Sequence, residues 1–344
     1  MSSQLQSEAA FESGIPAFIY RQWFKYRQPV PAGTSLAGQT AIITGANVGL
    51  GLESSRQLLA LGLSTLIVAV RSQHKGDEAA KGLKASHPNA RIEVWLVDME
   101  SYDSVQNFAK RCDKDLDRID IVILNAGLQS PVFQRVAATG HDQVLQVNYF
   151  STALLAILLL PIMKAKRQRA DSPPVLSVVS SDTAYWATLE TDRPVTAQLN
   201  REDGYTGMNQ YKGTKLLEML FVAKLAEQVD ANEVIVNLAN PGFTAGTAFG
   251  RNSSGNSWAS HVMSTVFRVV LARTIEAGAS NYVDAAVVKG KGSHGSFCSD
   301  WDIRPYPPLM YTDDGQKIKE RLWEETMEEL NFAGVSSIIQ SLRG

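Results

Sequence analysis

Apolar residues follow two alternating patterns along the chain from about residue 38 onward. Short runs rich in β-branched residues are separated by longer segments in which apolar residues recur at helical spacing, as at Val105, Phe108 and Cys112. Such alternation is typical of right-handed strand–helix–strand units around a parallel sheet. The pattern predicts an α/β fold with a doubly wound parallel sheet between two helical layers, and strands at 40–44, 65–70, 92–97, 119–124, 175–179 and 234–238, with a last short strand near 295–299.

Stretches that depart from this alternation set the expected domain organisation. We expect a single sheet domain at 38–300, an N-terminal extension at 1–37 and a C-terminal helical extension at 301–344, with a charged helix at 312–330 capped by Thr312 or Asp313. Two further stretches, at 182–207 and 243–274, are long and carry aromatic residues. Long loops in compact domains are commonly functional lids or disordered segments. Because both flank the candidate chemistry, we expect them to be substrate loops.

Charge and cysteine content bear on the expected partners, location and metal content of the protein. The 33 Lys and Arg residues nearly balance the 35 Asp and Glu residues, and the net charge is −2. Because long runs of like charge are missing from the sequence, we expect no nucleic-acid partner. Cys112 and Cys298 are too few for a disulfide framework, and they lack metal-ligand spacing. We therefore expect a reducing, cytoplasmic location and no metal.

Two segments raise the question of a membrane. Residues 144–163 carry no charge and precede several basic residues, but Gln146, Asn148 and Ser151 lie in their first half, and predicted strands flank them. We expect a buried helix there and no integral membrane span. Residues 1–27 lack the pattern of a secretory signal, and we expect them to lie on the folded domain. Their aromatic and basic residues also suit an interfacial helix, so peripheral membrane association is the alternative.

A glycine-rich turn follows the first predicted strand. Gly45, Gly49 and Gly51 lie between that strand and an apolar-periodic helix. Glycines let the backbone approach a pyrophosphate, and the helix N-terminus offers free N–H groups and a positive dipole end. The same spacing also occurs in ordinary turns, but its position after the first strand favours a dinucleotide site.

The residue after the second predicted strand bears on the choice of cofactor. Arg71 lies 20 positions after Gly51, where an NAD-specific fold usually carries an acid for the ribose hydroxyls. The sequence has no Asp or Glu between Leu66 and Gly76. A guanidinium pairs well with a 2′-phosphate, and Ser72 can donate a further hydrogen bond. We therefore expect NADP(H); the alternative is a solvated surface arginine.

Tyr211 and Lys215 form the candidate proton-transfer pair. Residues four apart share one face of a helix, about one turn apart. A free phenol has a pKa of about 10, and an adjacent ammonium is expected to lower the pKa of Tyr211 toward the working range. Ser180 and Ser181 end the preceding strand, and a hydroxyl there can hydrogen-bond a substrate oxygen. Such a Tyr–Lys pair also arises by chance on helix surfaces. Its position after the glycine-rich turn and after the strand that ends in serine favours a role in proton transfer.

These motifs resemble the short-chain dehydrogenase/reductase family. The resemblance rests on the Gly45–Gly51 turn, on Asn125-Ala126-Gly127 and on Tyr211-x-x-x-Lys215, which occur in the family's order. It covers about residues 38–300, implies a Rossmann-type fold and is nearest to fungal secondary-metabolism reductases and the retinol-dehydrogenase-like branch. It assigns four catalytic residues, Asn148, Ser181, Tyr211 and Lys215.

The resemblance also implies a set of cofactor contacts. Asp98 follows the third strand, where the family contacts the adenine, and Pro241-Gly242 lies beside the nicotinamide. Because Gly246 occupies the position of the family's carboxamide-binding threonine, either Thr244 or Thr247 takes that role. The full expected cofactor set is Gly45, Asn47, Val48, Gly49, Leu50, Gly51, Arg71, Ser72, Asp98, Met99, Asn125, Ala126, Gly127, Tyr211, Lys215, Pro241, Gly242, Thr244 and Thr247.

Two functional hypotheses follow. The first is an NADP(H)-dependent oxidoreductase, a ketoreductase or alcohol dehydrogenase, that interconverts a carbonyl and an alcohol on a bulky, mostly apolar small molecule of secondary metabolism. The second is a protein of the same fold that keeps NADP(H) structurally, as a sensor, a scaffold or a non-redox catalyst. A small-molecule carbonyl or alcohol is the expected partner, and a homodimer is the candidate assembly.

Overall fold

The predicted strands align into a single sheet. The computed structural model describes residues 1–168, 172–245 and 271–343. Its eight strands follow the order β3-β2-β1-β4-β5-β6-β7-β8, and all neighbours are parallel except β7 and β8. The chain reverses its direction of winding between β1 and β4, which is where doubly wound sheets place their ligand crevice. The strands are β1 Thr40–Thr44, β2 Thr65–Val70, β3 Arg91–Leu96, β4 Ile121–Leu124, β5 Val175–Val179, β6 Ile235–Asn240, β7 Phe297–Ser299 and β8 Asp302–Arg304.

Helices cover both faces of this sheet. Successive residues of β1 enter different apolar clusters, Ile42 on one face and Ile43 on the other, as the period of two in a strand requires. The predicted doubly wound α/β fold is confirmed, and β8 extends the sheet beyond residue 300. The α-helices of the described residues are α1 Gln6–Glu12, α2 Ile15–Phe24, α3 Gly49–Ala60, α4 Gln73–Ser86, α5 Tyr102–Asp115, α6 Gln143–Ala165, α7 Val195–Gln198, α8 Gly207–Ala226, α9 Ile275–Val283, α10 Asp313–Glu329 and α11 Val335–Leu342.

Helix α6 is the apolar segment that raised the question of a membrane span. Its 23 residues are long and apolar enough to cross a bilayer by length and composition. However, 83% of its most apolar window is buried within the domain, where α5 and α11 pack against it. Core helices of globular proteins share this pattern, so the burial favours the predicted buried helix.

The N-terminal segment is built into the domain through polar contacts. The Ser2 hydroxyl accepts a hydrogen bond from the Phe297 N–H (2.8 Å) and donates to the Arg304 carbonyl (2.5 Å), which joins the first residues to β7 and β8. The Gln22 amide donates to the carbonyls of Phe243 (2.8 Å) and Leu271 (2.9 Å). The segment therefore lies on the folded domain, as expected.

A buried ionic cluster forms around Arg21 of α2. Its guanidinium lies 2.5 Å from Glu12 and 3.2 Å from Asp300, and 3.9 Å from Asp182, which directly follows Ser181. Arg273 joins the cluster by donating to Asp300 (2.5 Å) and to the Arg21 carbonyl (2.7 Å). The Arg21 side chain is 3% exposed, so this cluster connects the N-terminal segment to the ends of β5 and β7 in a water-poor environment.

Removing the central cation tests this connection. We expect Arg21→Met to lower the free energy of unfolding by about 3–5 kcal/mol, because it leaves buried carboxylates without their partner. Arg56→Met is the matched control, since Arg56 is 54% exposed and its pair with Glu53 contributes about 0–1 kcal/mol. Urea unfolding of both variants measures the difference. Equal, small losses would show that the cluster does not hold the N-terminal segment on the domain.

Candidate active site

The glycine-rich turn connects β1 to α3 and has the conformation that glycine permits. Gly45 and Gly49 have φ angles of 66° and 63°, in the left-handed region. Gly51 is required for a different reason, because a Cβ there would lie 2.6 Å from the Gly45 carbonyl oxygen. Helix α3 begins at Gly49 with Val48 as its N-cap, and valine offers no side-chain acceptor to the first N–H groups. This end of α3 is therefore suited to bind an anion.

Asn125 and Thr44 hold the turn against β4. The Asn125 amide donates to the Thr44 carbonyl (2.9 Å), and the Thr44 hydroxyl accepts from the N–H groups of Asn125 and Ala126 (both 2.9 Å). Gly127 follows in close packing, since a Cβ there would lie 3.3 Å from Asn148 Oδ1. The stretch 125–127 therefore fixes the carboxyl ends of two adjacent strands.

Asn148 lies in an irregular turn of α6. Residues Gln146–Phe150 form a π-helical turn, a feature frequent at functional sites and not predicted from the sequence. The buried side chain of Asn148 accepts from the Leu128 N–H (2.8 Å) and donates to the Leu128 carbonyl (2.9 Å) and Thr214 Oγ1 (3.1 Å). These contacts join α6, the loop after β4 and α8.

Ser181 and Tyr211 come together at the end of β5. Tyr211 lies in α8, and its hydroxyl hydrogen-bonds the Ser181 side chain. Ser181 also caps the short helix Asp182–Trp186 by accepting from the Thr183 N–H (3.2 Å). Ser180 instead donates its hydroxyl to the Lys215 carbonyl (3.1 Å). Ser181 is therefore the serine in contact with the Tyr211 hydroxyl, and Ser180 contacts the backbone of α8.

Lys215 has a partner that the sequence analysis missed. Its ammonium donates to the Glu218 carboxylate (2.7 Å) and to the Val179 carbonyl (2.9 Å), and lies 5.5 Å from the centre of the Tyr211 ring. Burial raises the pKa of Glu218 to about 7, against the opposing effect of the Lys215 ammonium. The sequence does indicate this ion pair, because Glu218 lies three residues after Lys215, a spacing that puts both side chains on the same helix face.

Burial and a carboxylate oppose the expected lowering of the Tyr211 pKa by Lys215. Burial raises the pKa of the Tyr211 hydroxyl above its ordinary value, the Glu218 carboxylate raises that pKa further, and the hydrogen bond from Ser181 opposes them. An ion pair carries no net charge, so the Lys215–Glu218 pair does not stabilise a phenolate as an isolated ammonium would.

Arg71 follows β2 as predicted, but an acid approaches it from elsewhere. Its exposed guanidinium lies 2.6 Å from Glu100, which follows β3 and also accepts from the Gln143 amide (3.0 Å). Asp98 Oδ1 accepts from the Glu100 N–H (3.0 Å), which fixes this loop. Glu100 lies 29 residues from Arg71 in the sequence, so the residues around Arg71 give no indication of this ion pair.

Other expected cofactor residues make local contacts. Ser72 is the N-cap of α4 and accepts from the Lys75 N–H (3.5 Å), and the Met99 carbonyl accepts from the Ser151 hydroxyl (2.6 Å). The Thr244 hydroxyl donates to the Gly242 carbonyl (3.1 Å) in the turn that contains Pro241. Asn47 and Leu50 lie half-buried in the glycine-rich turn. Thr247 and residues 246–270 of the second predicted substrate loop lie outside the described residues, so the choice between Thr244 and Thr247 stays a prediction.

The first predicted substrate loop contains ordered structure. It begins with the short helix Asp182–Trp186 and includes α7. The Tyr185 hydroxyl donates to the Pro305 carbonyl (2.7 Å), and the Trp186 indole donates to the Ser13 carbonyl (2.9 Å), so these aromatics hold the terminal segments. The loop also lines a cavity of about 280 Å³ whose walls include Trp186, Leu189, Tyr205 and Lys212. Its role as a lid stays a prediction.

The side chains that commonly bind metals do not cluster in the part of the chain that the structure describes. Within the described ranges, no group of three or more His, Cys, Asp or Glu side chains has metal-binding geometry. Cys112 and Cys298 are buried free thiols, and burial raises the pKa of each to about 12. Neither thiol is therefore activated as a nucleophile.

Comparisons with known proteins agree with this geometry. A family profile described as short chain dehydrogenase matches residues 39–184. The chain is 53% identical to the short chain dehydrogenase virL of Hypocrea virens, over 100% of this chain and 99% of that protein. It is 45% identical to the short chain dehydrogenase/reductase mfmJ of Annulohypoxylon moriforme, over 96% of this chain and 97% of that protein.

Solved structures share the fold. The L-sorbose reductase of Gluconobacter frateurii, complexed with NADPH and L-sorbose, superimposes with a TM-score of 0.60 at 20% identity, over 77% of this chain and 95% of that chain. The NADPH-dependent 3-quinuclidinone reductase of Rhodotorula rubra gives a TM-score of 0.59 at 19% identity, over 80% of this chain and 96% of that chain. At these identities the likeness shows the fold alone.

The close approach at Gly51 gives a test of the turn. We expect Gly51→Ala to lower the free energy of unfolding by about 1–3 kcal/mol, because the new methyl group would overlap the Gly45 backbone. Gly82→Ala is the control, since nothing lies within 4 Å of a Cβ there and alanine favours a helix by about 0.5–1 kcal/mol. Urea unfolding compares the two variants. Unchanged stability of Gly51→Ala would contradict the tight packing of this turn.

Proposed function

The chain belongs to the short-chain dehydrogenase family of NAD(P)-dependent oxidoreductases, which act on small molecules, and we propose that it interconverts a carbonyl and an alcohol with NADP(H). The observation that carries the proposal is the contact between Ser181 and Tyr211 at the carboxyl end of β5, with Lys215 one turn further along α8. Two hydroxyls at one point, at the same edge of the sheet as the anion-binding turn of β1 and α3, suit proton transfer to a substrate oxygen next to a bound nucleotide.

The turn geometry fits a dinucleotide. Gly45, Gly49 and the N-terminal N–H groups of α3 would hold the pyrophosphate. Gly51 keeps this turn accessible, because a side chain there would overlap the backbone of Gly45. Arg71 and Ser72 would bind the 2′-phosphate, Asp98 and Met99 the adenine, and Pro241 and Gly242 would lie beside the nicotinamide. When bound, this cofactor supplies or accepts a hydride.

The chain's own residues supply the proton and orient the substrate. In the reducing direction, Tyr211 donates its hydroxyl proton to the carbonyl oxygen, and Ser181 donates a hydrogen bond to the same oxygen. Lys215 would bind the ribose hydroxyls near Tyr211. Asn148 holds its π-helical turn against the loop after β4 through Leu128, and so positions the wall of the site.

The proposed substrate class rests on the aromatic residues of the loop and on the relatives of the chain. The cavity beside 182–207 supports it only in its apolar walls, such as Trp186, Leu189 and Leu199. Polar and charged residues, such as Glu190, Arg201 and Lys212, make up most of the remaining lining. We propose a bulky, mostly apolar ketone or alcohol of fungal secondary metabolism, since the relatives that match over nearly the whole chain are fungal dehydrogenases.

Location and assembly belong to the same proposal. We place the protein in the cytoplasm, as a homodimer, with its sheet domain flanked by the two terminal segments. Peripheral membrane association is the alternative, because Ile15, Tyr20 and Phe24 of α2 are exposed close to Lys25 and Arg27.

Cofactor choice tests the role of Arg71. We expect NADPH to bind more tightly than NADH, and Arg71→Ala to weaken NADPH binding by about 10- to 100-fold, because hydrogen bonds to charged groups contribute about 1.5–3 kcal/mol. NADH binding to the same variant is the internal control and should not change. Glu100→Gln should strengthen NADPH binding, since it removes the carboxylate that competes for Arg71. Titration calorimetry measures all five affinities. Equal affinities of the wild-type protein for both cofactors would refute this assignment.

Removal of the Tyr211 hydroxyl tests proton transfer. We expect Tyr211→Phe to lower ketone reduction by about 10²- to 10⁴-fold and to leave NADPH affinity nearly unchanged, because the hydroxyl moves a proton and does not hold the cofactor. Tyr102→Phe is the control, since that hydroxyl bonds Glu329 on α10. NADPH oxidation with a panel of bulky aromatic ketones gives the rates. If wild-type protein binds NADPH but oxidises it with no ketone, the structural-cofactor hypothesis is favoured.

A further inference from the structure

The first predicted substrate loop, residues 182–207, is held by a helix from the C-terminal end of the chain. Helix α10 packs against α7 and α8, and it contacts the loop through Arg321 and Glu325. The Arg321 guanidinium donates to the carbonyls of Thr191 (2.5 Å) and Arg193 (2.9 Å). Side chains of the C-terminal extension therefore bind the backbone of a loop that lies 130 residues earlier in the sequence.

Glu325 supplies the cap that α7 lacks. This helix has four residues, Val195–Gln198, and its N-cap is Pro194, whose side chain offers no acceptor. The Glu325 carboxylate accepts from the N–H groups of Val195 (2.7 Å) and Thr196 (2.8 Å), and from the Thr196 hydroxyl (2.7 Å). A carboxylate is favourable at a helix N-terminus because the first N–H groups have no partner within the helix. Since so short a helix is not stable alone, α7 relies on tertiary contacts such as this one.

The other end of α7 contacts α8 on both sides of Tyr211. Leu199 directly follows α7, and its carbonyl accepts from the Gln210 amide (2.7 Å). The Leu199 side chain also packs closely on Gly213, where a Cβ would lie 2.6 Å from Leu199 Cδ2. Helix α7 is therefore fixed at its beginning by Glu325 and packed at its end against the residues that flank Tyr211.

The same segment forms one wall of the cavity of about 280 Å³ beside the loop. Gln198 and Leu199 line this cavity from the end of α7, and Gln210 and Lys212 line it from α8. The glycine-rich turn expected to bind the cofactor follows β1, which lies two strands from β5 in the sheet. A shift of α7 should therefore alter the shape of the cavity and spare the cofactor site.

The next residue of α10 reaches the segment that carries Asn148. Tyr149 directly follows Asn148 in the π-helical turn, and its buried Oη lies 2.6 Å from Thr326 Oγ1. Thr326 is itself fully buried and directly follows Glu325. Adjacent positions of α10 thus contact the π-helical turn and the first predicted substrate loop, which joins both of them to one helix.

We propose, on the basis of the proposed function, that Glu325 is a positioning residue that sets substrate choice by fixing α7 as a wall of the substrate cavity. Glu325 acts on α7, and through Leu199 on the cavity beside α8. A large substrate contacts this wall and depends on its position. A small substrate needs less of the cavity and depends on it less.

Ketones of different size test the proposal. Glu325→Ala removes all three hydrogen bonds that the carboxylate accepts from α7. We expect KM for bulky aromatic ketones to rise by about 10-fold or more, because hydrogen bonds to a charged group are lost from the wall. The kcat for the same ketones, the affinity for NADPH and the KM for the smallest ketone that is reduced should stay within about twofold.

Glu328→Ala is the matched control, because Glu328 is an exposed acid on the same helix. It should leave every KM within about twofold of the wild-type value. Thr196→Val is a milder variant that removes one of the three hydrogen bonds, and it should raise KM for bulky ketones less than Glu325→Ala does. Equal changes in Glu325→Ala and Glu328→Ala would overturn the proposal. Wild-type KM values in Thr196→Val would overturn it if Glu325→Ala did not fold.

Hydrogen exchange separates this proposal from the proposed function, because it needs neither ketone nor cofactor. We expect the amides of 195–199 to exchange at least about 10-fold faster in Glu325→Ala than in the wild type, with the amides of β4 and β5 unchanged. Unchanged exchange at 195–199 would overturn the proposal. Faster exchange with wild-type KM values would also overturn it, since α7 would then not act on the substrate. If no ketone is reduced while exchange rises as expected, the proposed function fails and the positioning of α7 by Glu325 stands.

Discussion

The alignment of parallel strand ends at one edge of the sheet is the constraint on which the site depends. Thr44 ends β1, and Asn125 and Ala126 follow β4; three hydrogen bonds from these two residues to Thr44 hold the two strand ends in register. Gly51 then allows α3 to start so close to the turn that no side chain fits between them. Because β5 pairs with β4 in the same sheet, Ser181 emerges at the same edge, two strands from β1, and the position of a reacting hydroxyl follows from backbone packing.

The second constraint is the burial of charge around this edge. Arg21 links Asp300, Glu12 and Asp182, and thereby connects α2 to the residue that follows Ser181. A terminal segment held only by apolar contacts could shift without large cost. A segment whose arginine neutralises several buried carboxylates cannot shift in this way, because movement would leave those carboxylates buried without a cation. The first 24 residues are thus part of the scaffold of the site.

Local periodicity explains what the sequence could predict. Strand runs, the glycine-rich turn and the pair Tyr211 and Lys215 all depend on residues a few positions apart, and the structure has them at the expected places. The approach of Glu100 to Arg71, and of Pro305 to Tyr185, depends on contacts between distant segments, which composition and spacing do not reveal. Glu218 was visible at helical spacing, but its burial becomes apparent only when α8 is packed against β5.

Buried carboxylates give this site its electrostatic character. Burial raises the pKa of Glu218 to about 7 and that of Asp182 to about 6, and both carboxylates also raise the pKa of Tyr211. Desolvation and negative charge act in the same direction on a phenol, because each disfavours the phenolate. The cation closest to Tyr211 is itself paired. A raised pKa keeps Tyr211 protonated but also makes it a weaker acid than a free phenol, so its proton transfer depends on how the bound substrate oxygen and the neighbouring charges match that pKa.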